Sequence, residues 1–326
     1  MKALHDFLKD DLKALNSLIG ETLKATKVPL ITDVAEHLMA SGGKRLRPLL
    51  TFLCGHLCGD PNPQRLIRLG ACIEFIHTAT LLHDDVIDQS NQRRGRPTAH
   101  TLWGNEASVL VGDFLFSRAF EMMVDDNSSE VFKILSQTAS RISEGELLQL
   151  MHRRTLMIDE SIYMEIIGAK TASLFSAAAE IGALAANAPC SERHLLKSIG
   201  YQMGLLFQIS DDMMDFGLSP IDSGKSQGND VMEGKMTLPV ILAYKKANTA
   251  QQKFIEDIIL DPEKCRSSFS NIQCLLEETG AMRETVTFAE IIQQTALENI
   301  LKFKETPERH LLQNALSFSL NRHTGF

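Results

Sequence analysis

Residues 83–88 read HDDVID and place three aspartates at the spacing DDxxD. In a helix, Asp84 and Asp88 lie one turn apart and therefore share a face. Like charges at this spacing destabilise an isolated helix, so the pair invites a compensating cation. His77 precedes both aspartates by close to whole numbers of turns. All three side chains are therefore expected to point into one cavity.

A second segment, QISDDMMD at residues 208–215, repeats the pattern. Asp211 and Asp215 have the same spacing, and Gln208 lies on the same stripe. A single acidic segment of this kind is more often a solvated helix face. Both copies, however, are embedded in apolar sequence, which disfavours a solvent-facing helix. Carboxylate oxygens are suitable Mg²⁺ ligands when phosphate oxygens complete the octahedron, so the two segments together predict a site for Mg²⁺ and a phosphorylated ligand.

Basic residues next to breaks in the chain supply the counterpart for an anionic ligand. They are Lys44 and Arg47 in GGKRLRP, Arg93 and Arg94 in RRGRP, Lys170 beside Thr171, Lys225 after a glycine, and Lys235 in GKMTLP. Arginine binds phosphate bidentately, whereas lysine acts as a compact charge. Each of these residues taken alone is most often a surface charge. The P-loop interpretation fails, because no segment fits GxxxxGK[ST].

The composition excludes several classes of protein. The 326 residues carry a net charge of −8, which argues against a nucleic-acid partner. The six cysteines form no CxxC pair and no disulfide or zinc framework. The N-terminal segment has an amphipathic helical pattern unlike a signal peptide, and no uncharged apolar run reaches the length of a membrane span. We therefore expect a cytoplasmic protein without a transmembrane segment.

Apolar residues recur at helical spacing along almost the whole chain. Helices are predicted over 66–88, 107–124, 130–151, 161–186 and 193–217. Breaks are predicted at 42–43, 61–63, 89–105, 187–189, 218–239 and 261–262. Strand alternation is nearly absent, and no linker divides the chain. The sequence thus predicts one all-α domain over residues 1–326, a bundle of ten or more helices.

The ordered series GGKRLRP, LLHDDVIDQSNQRRGRPTAH, GDFLFSRA, GAKTASLF, GLLFQISDDMMD and GKSQGNDVMEGKMTLP resembles the trans-isoprenyl diphosphate synthases, in particular their long-chain polyprenyl type. The similarity covers about residues 40–240. It implies the all-α isoprenoid synthase fold around a deep central cavity, usually in a homodimer. It also implies head-to-tail condensation of isopentenyl diphosphate with an allylic diphosphate such as farnesyl diphosphate. The expected product is long, such as octaprenyl diphosphate, and products of this kind commonly become quinone side chains.

The resemblance also implies roles for individual residues. The isopentenyl diphosphate would be held by Lys44, Arg47, His77 and Arg94. The allylic diphosphate would be held by Arg93, Lys170, Thr171, Gln208, Lys225 and Lys235. Three Mg²⁺ ions per active site would be bound through Asp84, Asp88, Asp211 and Asp215. The residues expected to carry catalysis are Asp84, Asp85, Asp88, Asp211, Asp212, Lys170 and Lys225.

Chain length is expected to depend on the depth of the cavity. In short-chain relatives an aromatic residue five positions before the first aspartate forms the floor, and here that position is Ala79. Bulky side chains deeper in the cavity, at Ile76, Met122 or Met123, would then set the length of the prenyl product. The alternatives are a short-chain synthase, which Ala79 disfavours, and a non-catalytic subunit, which the intact motifs disfavour. A terpene cyclase would not need the GGKRLRP segment. Release of a long product also implies transient contact with a membrane.

Overall fold

The structure is a computed structural model of the chain that describes residues 1–40, 43–217 and 228–320. Side chains are described in these ranges except at positions 40, 262, 263 and 265–267. The helices in these ranges are α1 (Lys2–Phe7), α2 (Lys9–Lys24), α3 (Pro29–Ala40), α4 (Leu46–Cys58), α5 (Pro63–Ile87), α6 (Ala99–Trp103), α7 (Asn105–Asp125), α8 (Ser129–Met151), α9 (Glu160–Ile167), α10 (Ser173–Ala185), α11 (Cys190–Met214), α12 (Asn229–Met232), α13 (Leu238–Lys246), α14 (Thr249–Leu260), α15 (Pro262–Glu278), α16 (Ala281–Ile300) and α17 (Pro307–Leu320). The predicted all-α bundle of ten or more helices is therefore confirmed.

Two further elements interrupt the helices. A π-helical turn, Gly168–Ala172, joins α9 to α10, so the helix predicted over 161–186 is continuous but locally widened. The predicted break at 89–105 contains a short antiparallel hairpin, β1 (Gln92–Arg93) and β2 (Arg96–Pro97), followed by α6. The break predicted at 218–239 likewise contains α12 in its described part. These elements are too short to give a periodic apolar pattern, so the sequence indicated only a break between long helices there.

Capping residues explain where several long helices begin. The Asn62 side chain accepts a hydrogen bond from the Arg65 N–H, and proline follows it at the first position of α5. Ser128 caps α8 in the same way, and Asp159 caps α9. Each cap satisfies a backbone N–H group that would otherwise lack a partner, which fixes the residue at which the helix begins. These starting points lie close to those that the apolar pattern predicted.

Two central helices, α5 and α10, are buried around most of their circumference. The second is rich in alanine and glycine, which allows neighbouring backbones to approach closely. A Cβ on Gly182 would lie only 2.1 Å from the Thr51 carbonyl oxygen in α4. The hydrophobic core runs from Leu4 to Leu320 and continues through α7 and α11. Within the described ranges, every helix is too short or too polar to span a bilayer.

Candidate active site

A cavity of about 840 Å³ opens between α5, α8, the turn before α10, and α11. The residues predicted for the site that line it are Lys44, Arg47, His77, Asp84, Asp88, Arg93, Arg94, Lys170, Thr171, Gln208, Asp211, Asp212 and Lys235. Ala79, Asp85 and Asp215 do not line it. Lys225 lies outside the described residues. Members of both acidic segments and the described basic residues therefore line one cavity, an arrangement that the resemblance implies.

Asp84 and Asp88 of the first segment are each paired with a lysine from another part of the chain. Lys170 Nζ lies 3.6 Å from Asp84 Oδ2, and Lys235 Nζ donates a hydrogen bond to Asp88 Oδ2 at 3.2 Å. Burial alone would lower the pKa of Lys170, but Asp84 and Glu146 outweigh it and hold the pKa above its ordinary value. Both lysines are therefore charged, and they stabilise the two carboxylates against each other's repulsion.

The middle aspartate of this segment, Asp85, faces away from the cavity. Its side chain is fully buried and accepts hydrogen bonds from Arg93, with Nη2 at 2.8 Å and Nε at 3.0 Å from Oδ1. The guanidinium of Arg93 lines the cavity. Asp85 therefore orients Arg93 instead of facing a ligand directly, because position 85 is rotated away from the face that Asp84 and Asp88 share.

A buried hydrogen-bond network surrounds Asp212 of the second segment. Tyr163 Oη donates to Asp212 Oδ2 at 2.7 Å, and Gln208 Nε2 donates to Oδ1 at 2.7 Å. Thr171 Oγ1 in turn donates to Gln208 Oε1 at 2.8 Å. Burial raises the pKa of Asp212 well above its ordinary range, Asp230 adds to the effect, and the two donors oppose it. The network joins α9, the π-helical turn and α11 into one wall of the cavity.

Asp215 lies one helical turn from Asp211, as its spacing predicts, but its side chain does not line the cavity. Asp215 lies just after the last residue of α11, and its carboxylate accepts hydrogen bonds from the backbone N–H groups of Asn229 (3.1 Å) and Asp230 (3.0 Å). These are the first donors of α12, which a carboxylate caps favourably. The prediction that Asp215 faces the ligand site is therefore corrected in favour of a capping position.

Arg47 and His77 form the centre of a second, basic part of the cavity. Arg47 Nη1 lies 3.1 Å from His77 Nε2, and the guanidinium stacks on Phe175 with 4.5 Å to the ring centroid. Burial lowers the pKa of His77 well below its ordinary range, and the positive charges of Arg47 and Arg93 lower it further. His77 is therefore a neutral hydrogen-bonding group at neutral pH.

The hairpin and the C-terminal helix complete this basic part. Arg94 and Gly95 have φ of 53° and 73°, as the two central residues of a type I′ turn require. A Cβ on Gly43 would lie 2.9 Å from Arg94 Nη1, so the arginine packs on the glycine backbone. Lys44 Nζ stands over the ring of Phe318, 4.2 Å from its centroid. The turn and α17 thereby bring Arg94 and Lys44 to one end of the cavity.

Sequence reasoning missed several polar side chains that line the cavity, among them Glu146, Arg153 and Tyr163. Glu146 Oε2 accepts a hydrogen bond from Lys170 Nζ at 2.8 Å. Burial raises the pKa of Glu146 to about 7, with Lys170 opposing and Asp84 reinforcing the shift. A glutamate or tyrosine on an ordinary helix carries no local signal of this kind. The consecutive arginines at 153 and 154, at the end of a predicted helix, were the only available indication.

Comparison with known proteins shows the family of the chain. Residues 28–276 match the polyprenyl synthetase family. The chain is 37% identical to the all-trans-nonaprenyl-diphosphate synthase (geranyl-diphosphate specific) of Rhodobacter capsulatus, over 96% of this chain and 95% of that protein. It is 35% identical to the octaprenyl diphosphate synthase of Escherichia coli K12, over 99% of both chains.

Among solved structures, a polyprenyl synthase from Caulobacter crescentus CB15, complexed with calcium and isoprenyl diphosphate, superimposes with a TM-score of 0.94. It is 40% identical, and the match covers 99% of this chain and 98% of that one. Fold and relatives together define a prenyltransferase with the all-α isoprenoid synthase fold. The chain belongs to the polyprenyl synthetase family. Other relatives matched over most of the chain range from heptaprenyl to short-chain synthases, so family membership alone leaves the product length open.

Proposed function

We propose that this protein is a Mg²⁺-dependent trans-polyprenyl diphosphate synthase. It adds isopentenyl diphosphate repeatedly, head to tail, to an allylic diphosphate such as farnesyl diphosphate. The observation that carries the proposal is the meeting of Asp84, Asp88 and Asp211 in one cavity with basic residues from several parts of the chain. Several cations suit two diphosphates, which the resemblance assigns to different basic residues.

The carboxylates fit magnesium. Asp84 lies in the last turn of α5, Asp88 directly follows that helix and Asp211 lies in α11, and all three are hard oxygen donors. In the described part of the chain, no three acidic, histidine or cysteine side chains form a preassembled cation cage. This suits Mg²⁺, which keeps several waters and is usually bound through one or two carboxylates together with substrate phosphates. The proposal includes three such ions, which, when bound, draw charge from the departing diphosphate.

The side chains of the protein orient the two substrates. Lys170, Lys235 and Arg93, with Thr171 and Gln208 beside them, form the wall assigned to the allylic diphosphate, and Lys225 is included from its sequence alone. Lys44, Arg47, Arg94 and neutral His77 form the part assigned to isopentenyl diphosphate. As the allylic C–O bond breaks, the isopentenyl double bond attacks the allylic carbon. The proton then lost passes to the released diphosphate, as the resemblance to the family implies.

Apolar residues form much of the remaining cavity wall and exclude water from the allylic cation. They include Leu81, Ile142, Ile166, Leu174 and Phe207. Water in the cavity would quench the cation, so a dry wall keeps the reaction directed to chain elongation. Without this wall, hydrolysis of the allylic substrate would compete with condensation.

A long product is the finer part of the proposal. Identities of 37% and 35% to nonaprenyl and octaprenyl synthases over nearly whole chains support it. Ala79 is fully buried in α5, with Ile76 and Met123 also buried. Because Ala79 does not line the cavity, a tunnel past this position is itself part of the proposal. A phenyl ring at position 79 would block such a tunnel, whereas a methyl group would let elongation continue until bulk deeper in the core stops it. Product sizing distinguishes this from the short-chain alternative.

A homodimer is proposed from the outward faces of α7 and α8. Leu110, Phe120 and Val124 on α7 are exposed, with Leu110 at 67% and Val124 at 62%, and Leu147 and Met151 on α8 are exposed as well. Solvent-facing apolar residues at helical spacing mark an interaction surface. Sedimentation of the purified protein is expected to give a dimer, and Leu110→Glu to shift it toward monomer.

The proposal treats residues 1–326 as one domain in the cytoplasm. The continuous core from Leu4 to Leu320 supports the single domain. The cytoplasmic location, the quinone pathway and transient membrane contact for product release stay predictions from the sequence.

The decisive assay combines purified protein, labelled isopentenyl diphosphate, farnesyl diphosphate and Mg²⁺, followed by sizing of the products. We expect elongation that stops on chelation and returns with added Mg²⁺. Asp84→Asn and Asp88→Asn are expected to abolish it, whereas Asp10→Asn, on the exposed face of α2, serves as the matched control. Elongation that continues after thorough chelation, or in both cavity variants, would refute the proposal.

A further inference from the structure

The turn that follows α8 has the sequence His152-Arg153-Arg154 and is held against a distant segment of the chain. Arg154 has φ of 57°, a left-handed conformation that costs a residue other than glycine roughly 1 kcal/mol or more. Its backbone N–H donates to the Gly234 carbonyl at 2.8 Å. Arg153 Nε donates to the adjacent Glu233 carbonyl at 2.7 Å. Two hydrogen bonds therefore fix the turn beside Lys235.

Arg153 is directed into the cavity by this anchoring. Its side chain is 22% exposed and lines the cavity. Nη1 lies 3.7 Å from Asp88 Oδ1, and Nη2 lies 4.0 Å from Glu233 Oε2. These are ion-pair distances, longer than hydrogen bonds, and the two terminal nitrogens donate no hydrogen bond to any residue that the structure describes. The two terminal nitrogens of the guanidinium can therefore donate hydrogen bonds to a ligand.

Two cations flank Asp88, one at each oxygen. Lys235 Nζ donates to Oδ2 at 3.2 Å, while Arg153 lies nearer to Oδ1. Lys235 also pairs with Glu233 at 2.5 Å and with Asp230 at 3.9 Å. The three carboxylates and two cations of this cluster sum to −1. A divalent cation at Asp88 changes that sum to +1, so an anion is favoured only after the metal has bound.

We propose that Arg153 is a further binding residue for the allylic diphosphate, donating its terminal N–H groups to diphosphate oxygens once Asp88 holds a divalent cation. The inference rests on the proposed function and deepens it. A planar fork beside a lysine suits a diphosphate, because arginine binds two phosphate oxygens bidentately while lysine supplies a compact charge. A bound divalent cation would weaken the pairing of Arg153 with Asp88, which lets the guanidinium turn to the ligand.

The alternative for the same contacts is a purely structural clamp between α8 and segment 233–235. The two roles predict different results for Arg153→Gln. If the contacts form only a clamp, Arg153→Gln would lower the unfolding temperature and weaken the binding of both substrates alike. A ligand contact would weaken binding of the allylic substrate alone, because isopentenyl diphosphate is assigned to other basic residues, around Arg47.

The test measures binding of farnesyl S-thiolodiphosphate, an allylic analogue whose C–S bond resists ionisation, by calorimetry with and without Mg²⁺. A lost hydrogen bond between charged groups corresponds to roughly a 10- to 150-fold weaker affinity. We expect a loss of that size for Arg153→Gln with Mg²⁺ present, and a smaller loss for Arg153→Lys. Arg154→Gln, which removes the same charge from the adjacent exposed residue, is the matched control and is expected to bind as wild type.

Steady-state kinetics supply the second readout. The KM for farnesyl diphosphate is expected to rise in Arg153→Gln while the KM for isopentenyl diphosphate and the unfolding temperature stay unchanged. Wild-type affinity for the analogue, or equal increases in both KM values with a lower unfolding temperature, overturns the role of Arg153. Failure of the wild-type protein to elongate any allylic diphosphate is a different result, which overturns the proposed function itself.

Discussion

Gly145 in α8 offers a direct test of how the cavity wall positions Lys170. A Cβ at this position would lie 2.7 Å from the Lys170 backbone nitrogen and 2.8 Å from the Ala169 Cβ. The first distance is about 0.7 Å short of the 3.4 Å at which ordinary contact begins. Because the nearest obstacle is backbone within the π-helical turn, Gly145→Ala must push α8 and this turn apart instead of rotating a flexible side chain.

The expected effects on stability and on activity differ in size. Overpacking costs about 1–3 kcal/mol, while replacing a helical glycine by alanine returns about 1 kcal/mol. The net loss of stability is therefore roughly 0–2 kcal/mol. A catalytic group misplaced by about 1 Å can cost on the order of 100-fold in rate. We expect kcat for elongation to fall about 10- to 100-fold while the protein stays folded.

Denaturant unfolding and product-forming kinetics measure the two effects separately. Gly20→Ala in α2 is the matched control, because its Cβ would meet nothing within 4 Å. That variant should gain roughly 0.5–1 kcal/mol from helix propensity and keep wild-type kinetics. If Gly145→Ala also became more stable and kept its kcat, the close packing of α8 on the turn would not control the position of Lys170.

Three further predictions concern Tyr163, His56 and Ala79. Tyr163→Phe removes a hydrogen-bond donor to the buried Asp212 carboxyl, so the free energy of unfolding should drop by about 1–3 kcal/mol. An unchanged denaturation midpoint would contradict this. Asp11 raises the pKa of His56 chiefly through their hydrogen bond. The protonated imidazole therefore stabilises the folded protein at about pH 5.5, and this stabilisation is lost as the pH rises through the pKa of His56 in the folded state. His56→Gln should accordingly cost more unfolding free energy at about pH 5.5 than at pH 8.5, and an equal cost at both would refute the charged pair. Ala79→Phe should shorten the prenyl products sharply, which chromatography of dephosphorylated products measures, and unchanged lengths would exclude the floor at this position.

Much of the site was predictable because its residues obey helical periodicity within single elements. The stripe of His77, Asp84 and Asp88 was predicted from whole numbers of turns, and all three residues line the cavity. Asp215 also lies one turn from Asp211, with helical backbone and an N–H that donates to the Asp211 carbonyl, but its carboxylate caps α12 instead of lining the cavity. Periodicity predicts which side of a helix a residue lies on, whereas the partner that its side chain binds depends on a segment some fourteen residues later.

Residues whose role depends on a distant partner could not be found in this way. Arg153 acquires its position from hydrogen bonds to segment 233–234, some eighty residues later in the chain. Glu146 likewise depends on Lys170, which approaches it across the packing of α8 on the π-helical turn. Nothing in the spacing of either residue specifies these contacts, because they follow from how the helices pack.

The pairing of Lys170 with Asp84 and of Lys235 with Asp88 has a thermodynamic consequence for the proposed enzyme. Before any ligand arrives, the protein's own ammonium groups neutralise the carboxylates, so each ligand must exchange places with an internal counterion. A metal that takes a carboxylate releases a lysine for phosphate, and a phosphate that takes the lysine exposes the carboxylate to metal. Each ligand thereby strengthens the binding of the other by the same factor, because coupling between binding sites is reciprocal.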